Sequence, residues 1–143
     1  MEYNRFYKIL IIVITTLASF NAGFMSSALN IALPVIGREL NISAISLSWI
    51  STSFLLATAV TLLPFGKLSD IFGRAKFFKI GAFLFAVSSL LCAISPNVSM
   101  IIFSRAVQGI SASLISVTSI TILVSIFPIS SRGKVIGINT TGV

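Results

Sequence analysis

The sequence predicts an all-α, polytopic membrane bundle with four transmembrane helices and the start of a fifth. Of 143 residues, 56% are hydrophobic and 9% are charged, whereas soluble domains run at about 45–50% apolar and about 25% charged. The mean hydropathy is +1.07. The apolar residues also gather into runs near the length of about 20 residues that a helix needs to cross about 30 Å of hydrocarbon, at about 1.5 Å per residue.

The first span is read over residues 8–36. It opens in the apolar block Ile9 to Ile14, continues through Ala18, Phe20 and Phe24, and finishes across Asn30 to Gly37. The second is read over 47–65, entered at Trp49, whose amphipathic ring suits the water–lipid boundary, and ended by Pro64 and Gly66. The third covers 77–94, and the turn Ser95-Pro96-Asn97 leads tightly into a fourth over 98–123. Beyond Phe127-Pro128 comes a polar stretch, Ser130 to Lys134, after which 135–143 reads as roughly the first two turns of a fifth span. A signal peptide is the alternative for the N-terminus, with Arg5 and Lys8 before the apolar stretch and Ser26, Ser27 and Ala28 as a mimic of a cleavage site; the three further spans speak against it.

Charge sets the expected topology. Eight of the ten cations (Arg5, Lys8, Lys67, Arg74, Lys76, Lys79, Arg132 and Lys134) fall on one side of the predicted spans, and the other side holds Arg38 beside Glu39. The positive-inside rule places the N-terminus and the Lys67–Lys79 segment in the cytoplasm of a cell-membrane protein. The net charge of +7 is thus a matter of topology and not a footprint for nucleic acid. With three acids, no histidine and a lone Cys92 inside an apolar run, zinc sites, a disulfide framework and hydrolytic or redox chemistry have little to work with. No enzyme activity, metal or cofactor is expected. The sequons at Asn41 and Asn97 lie too near the membrane to carry weight.

Three places hold residues chosen for more than lipid. The connection after the second span reads Gly66-Lys67-Leu68-Ser69-Asp70-Ile71-Phe72-Gly73-Arg74-Ala75-Lys76. An ordinary positive-inside loop explains its cations, but not an acid bracketed by two glycines. The stretch resembles the signature loop of the major facilitator superfamily, Gly-x-Leu-Ser/Ala-Asp-Arg/Lys-x-Gly-Arg-Arg/Lys. Gly66, Leu68, Ser69, Asp70, Gly73 and Arg74 match, while Ile71 and Ala75 stand where cations are usual. The resemblance implies a conformational latch: Asp70 meets a helix N-terminus in the opposite half of the transporter, where the helix dipole favours a carboxylate, and Arg74 holds the loop.

Arg105 falls inside the fourth apolar run, where a lipid-facing guanidinium costs at least about 2.5–3.5 kcal/mol. It either snorkels to a headgroup or faces protein or water. At about 100° per residue, Arg105, Gly109, Ala112, Ser116 and Ser119 share one side of the helix, a small and polar stripe suited to lining a cavity. Ser104-Arg105-Ala106-Val107-Gln108-Gly109 resembles the fourth-span motif of the superfamily's proton-coupled exporters, Arg-x-x-Gln-Gly followed by small residues; Arg105, Gln108 and Gly109 match. The resemblance implies that Arg105 acts in proton coupling by biasing a nearby acid or water chain.

In the first span, Thr15, Ser19, Ser26 and Asn30 lie within about 60° on a helical wheel, as a second cavity wall or as helix-packing positions. Ala28-Leu29-Asn30-Ile31-Ala32-Leu33-Pro34 resembles the first-span signature of the fourteen-spanner drug exporters, matching at Asn30, Ala32, Leu33 and Pro34. The acid usual at the start of that signature is replaced by Met25, and no acid lies within the four spans. A protonatable carboxylate is therefore expected from elsewhere in the transporter. The resemblance implies the N-terminal half of a major facilitator fold, too short to transport alone. Its partners would be a small-molecule substrate, protons, the lipid bilayer and the remaining spans. A uniporter or symporter of the same superfamily, and a small helical membrane subunit or sensor, remain the other readings.

Overall fold

The computed structural model describes residues 5–39 and 42–140, apart from the side chains of Arg5, Ser26 and Thr140. Asn41 lies outside the described residues. Five helices follow one another: α1 (Arg5–Glu39), α2 (Ala44–Phe72), α3 (Arg74–Ala93), α4 (Val98–Ile126) and α5 (Ile129–Thr140). The described residues contain no strand. The first four are long and apolar enough to cross a membrane.

Local chemistry sets the ends. Ser43 caps α2 by accepting the Ser46 N–H (3.3 Å), and Asn97 caps α4 by accepting the Met100 N–H (2.9 Å), so each hydroxyl or amide oxygen satisfies an orphan donor. Asn97 is therefore a capping residue. Phe127, ahead of Pro128, leaves the helical region at ψ 140°, as the clash with a following proline ring demands. Gly73 is the single residue between α2 and α3, and its φ of +104° is a conformation that side chains with a Cβ resist.

Helix bounds and membrane bounds differ. The sequence places the end of the second span at Phe65, yet α2 passes through Pro64 and Gly66 to Phe72. A proline removes a single backbone hydrogen bond, and membrane helices absorb that loss locally. The segment from Gly66 to Phe72 is thus helix and not loop. Likewise α3 begins at Arg74 and not at Phe77, α4 runs to Ile126, and α5 takes in the polar stretch Ser130–Lys134 before Val135. Polarity marks where a helix leaves the hydrocarbon, not where its backbone bonding stops.

The fourth helix is the hub. Half of its most apolar window is buried (50%) against 12–17% for α1, α2 and α3, and it packs along α2 and α3 with a lighter contact to α1. Phe54, Phe85, Ala112 and Ile115 form the core. Ser104, Ser111, Ser113, Thr118 and Ser119 of α4 are fully buried, small residues that let helix backbones approach where lipid offers no hydrophobic drive for association. A Cβ at Gly109 would stand 2.3 Å from the Phe54 carbonyl oxygen, so α2 and α4 meet there almost backbone to backbone. Hydrogen bonds stitch the seam: Ser53 Oγ donates to the Ile102 carbonyl (3.3 Å), Thr58 Oγ1 lies 3.1 Å from the Gly109 carbonyl, and the Thr61 and Ser113 hydroxyls meet at 2.7 Å. Leu55, Leu63, Phe83, Leu90 and Phe103 point outward and are exposed, as lipid-facing side chains would be.

Candidate functional site

The junction of α2 and α3 gathers the predicted latch residues. Asp70 sits one turn before Arg74, and the Arg74 Nε donates to its carboxylate at 2.8 Å. With the Asp70 side chain 53% exposed, this pair contributes at most about 1 kcal/mol. Arg74 also donates from Nη1 to the Thr121 carbonyl (3.1 Å), which ties the start of α3 to α4. Ser69 is fully buried, its hydroxyl turned back to the Gly66 carbonyl (2.9 Å). Gly66 meets Val117 of α4, Leu68 is half-buried, and Gly73 makes the corner. The arrangement presents Asp70 outward while Arg74 holds its base.

Arg105 is 2% exposed and does not reach for the surface. Its Nη1 donates to Gln108 Oε1 (2.7 Å), the Gln108 Nε2 donates to Ser89 Oγ on α3 (2.8 Å), and its guanidinium carbon lies 4.4 Å from the centre of the Phe54 ring. Among the described residues the Nε has no hydrogen-bond partner. Among the described residues the acids are Glu39 and Asp70, each at a helix end, so this buried cation is held by a neutral amide and an aromatic face and not by a carboxylate. A cavity of about 240 Å³ adjoins it, lined in part by Met25, Ser89, Cys92 and Gln108.

A second cleft of about 300 Å³ lies between α1, α2 and α4, lined by Ser19, Ser27, Phe54, Thr58, Ala112 and Ser116 among others. Of the predicted cavity residues it brings together Ser19, Ala112 and Ser116. Thr15 is buried against its own helix, donating to the Ile11 carbonyl (2.8 Å), and lines a different groove beside Arg74. Asn30 lies near the other end of α1, accepting from Ser51 Oγ (3.2 Å). Residues 15 and 30 are about 22 Å apart along a helix, too far to face one cleft although they share a stripe. The Ser26 side chain lies outside the described ones. Ser19 also meets α5, with its Oγ 3.5 Å from Asn139 Oδ1.

The family model of the Major Facilitator Superfamily matches residues 15–143. The chain belongs to the major facilitator superfamily. It is 35% identical over 131 residues to the riboflavin transporter RibZ of Clostridioides difficile, covering 92% of this chain and 29% of that protein. It is 31% identical over 134 residues to the multidrug resistance protein Stp of Mycobacterium tuberculosis (93% and 25%), and 34% identical over 128 residues to the efflux pump dotC of Dothistroma septosporum (90% and 22%). The chain thus spans 22–29% of the length of these relatives. This major facilitator chain is a multi-pass membrane protein of a transporter family, not an enzyme.

Sequence reasoning missed several residues of this major facilitator chain. Thr58, Ser89 and Thr121 were not singled out, although each bonds across helices. Phe54 lies in the second span, where nothing in its local sequence marks it as the platform for Arg105. Polar residues at i and i+3, Thr58 and Thr61, inside an apolar run were the available signal for the α2 seam.

Proposed function

We propose that this chain forms the first spans of a longer proton-coupled exporter of drugs or small metabolites in the cell membrane, with its N-terminus in the cytoplasm. Substrate would be held in the cleft between α1, α2 and α4 and released by alternating access, as further spans rock against these around a site near the midplane. The observation that carries the reading is Arg105, 2% exposed about two turns into the hub helix. A bundle built only for stability has little reason to hold a cation there without a carboxylate, because the desolvation of an unpaired charge is several kcal/mol. A site that must exchange a proton has one. The guanidinium beside this cavity can favour the ionised form of an acid brought in by later spans in one state and release it in another. Asp70, turned outward, would latch one state against the dipole of a facing helix.

The test is transport driven by a pH gradient in vesicles holding the full-length transporter at matched protein levels. Arg105→Lys keeps a charge but loses the planar fork of five donors that Gln108 and a carboxylate would share. It is expected to be impaired and Arg105→Ala more so; wild-type rates for both would remove the coupling role. The likeness to a riboflavin transporter favours a second reading, carriage of a metabolite without drug efflux, which transport assays with both substrate classes would separate.

A further inference from the structure

We infer that the cleft between α1, α2 and α4 takes uncharged aromatic ligands bearing hydroxyl groups and turns away organic cations. This deepens, and rests on, the reading of that cleft as the substrate site. Charge comes first. Phe54 lines the cleft, and the Arg105 guanidinium carbon lies 4.4 Å from the centre of its ring. The charge therefore stands one ring away from any ligand, in a side chain too buried for water to screen it. Aromatic walls elsewhere attract ammonium groups through the negative face of the ring, but here a guanidinium already draws on that ring. Gln108, which accepts from Arg105, is neutral, and Glu39 and Asp70 stand at helix ends, so among the described residues no carboxylate offsets the field, and an acid of the later spans would do so only in the state that holds it against Arg105. A ligand cation held about 8 Å from this charge, at an effective dielectric of about 20, would be disfavoured by about thirtyfold.

Hydrogen bonding completes the selection. A hydroxyl has one proton to give, and that of Thr58 is engaged by main-chain carbonyls, Phe54 at 2.8 Å and Gly109 at 3.1 Å. The Ser19 hydroxyl is directed to Asn139 Oδ1 (3.5 Å). What these two side chains retain is lone pairs, while Ser27 and Ser116 on the same wall have hydroxyl protons to give, so the wall suits a ligand hydroxyl, which both gives and accepts. The aromatic part of the ligand finds Phe54, Ala112 and Ala22.

The experiment is equilibrium dialysis of the purified full-length transporter, without a pH gradient, against two ligands built on one skeleton: 3-(2-naphthyloxy)propane-1,2-diol and its analogue with trimethylammonium in place of the terminal hydroxyl. The diol is expected to bind about thirtyfold more tightly. Arg105→Gln should close most of that gap, and Thr58→Val should weaken the diol about fivefold. Equal binding by wild type, or preference for the cation, overturns the charge selection, and this comparison needs no variant to fold. A gap that persists in well-folded Arg105→Gln overturns the assignment to Arg105. Binding of neither compound overturns the cleft reading itself, and the inference with it.

Discussion

Gly109 and Arg105 lie one helical turn apart on α4 and act as a unit. Because Gly109 has no side chain, α4 can close on the Phe54 backbone, and that closeness brings the Phe54 ring under the guanidinium. The two residues were legible in the sequence for different reasons: a charge in an apolar run is conspicuous energetically, while a glycine gains meaning only from its spacing to that charge. Gly109→Ala puts a Cβ 2.3 Å from a backbone oxygen, which cannot swing aside as a side chain can. It is expected to destabilise the full-length protein by about 1–3 kcal/mol, seen as a lower thermal midpoint in detergent. Gly137→Ala in α5, where a Cβ meets nothing within 4 Å among the described residues, is the matched control and should be neutral or slightly stabilising.

At the scale of elements, the α2–α3 corner shows how a motif read as a loop works as helix. Six signature positions were legible because an acid and two glycines at fixed spacing exceed what topology needs. Their setting was not, because helix termination depends on capping and neighbours, and Pro64 with Gly66 reads locally as a stop. As the end of a helix fixed to α4 through Arg74 and Thr121, the segment carries Asp70 on a rigid mount. Asp70→Asn is therefore expected to leave membrane insertion and expression near normal while lowering transport by about two- to fivefold, the effect of removing a carboxylate from a helix dipole. Unchanged efflux in vesicles would remove the latch.

For the whole molecule, topology is the property most open to direct test. Ser69 would be a natural labelling site by sequence, but it is fully buried; Ile71 is 74% exposed on the same turn, and Pro96 is exposed at the opposite end of α3. With Cys92→Ser as background, an impermeant maleimide added to intact cells is expected to label Pro96→Cys at once and Ile71→Cys only after permeabilisation. The reverse pattern would invert the bundle and place the N-terminus outside.

The sequence by itself determined that this chain is an all-helical, multi-pass membrane protein of its superfamily, because hydropathy, charge sidedness and motif spacing are properties of single segments. It also singled out Arg105, whose burial cost does not depend on its neighbours' identity. Tertiary structure alone decided what that cation faces, since Phe54 on α2, Ser89 on α3 and Gln108 on α4 converge only when three helices cross. It likewise separated Ser19 from Thr15 and Asn30 along one polar stripe. A helical wheel keeps the angle of a residue and discards its height, and a cleft requires both.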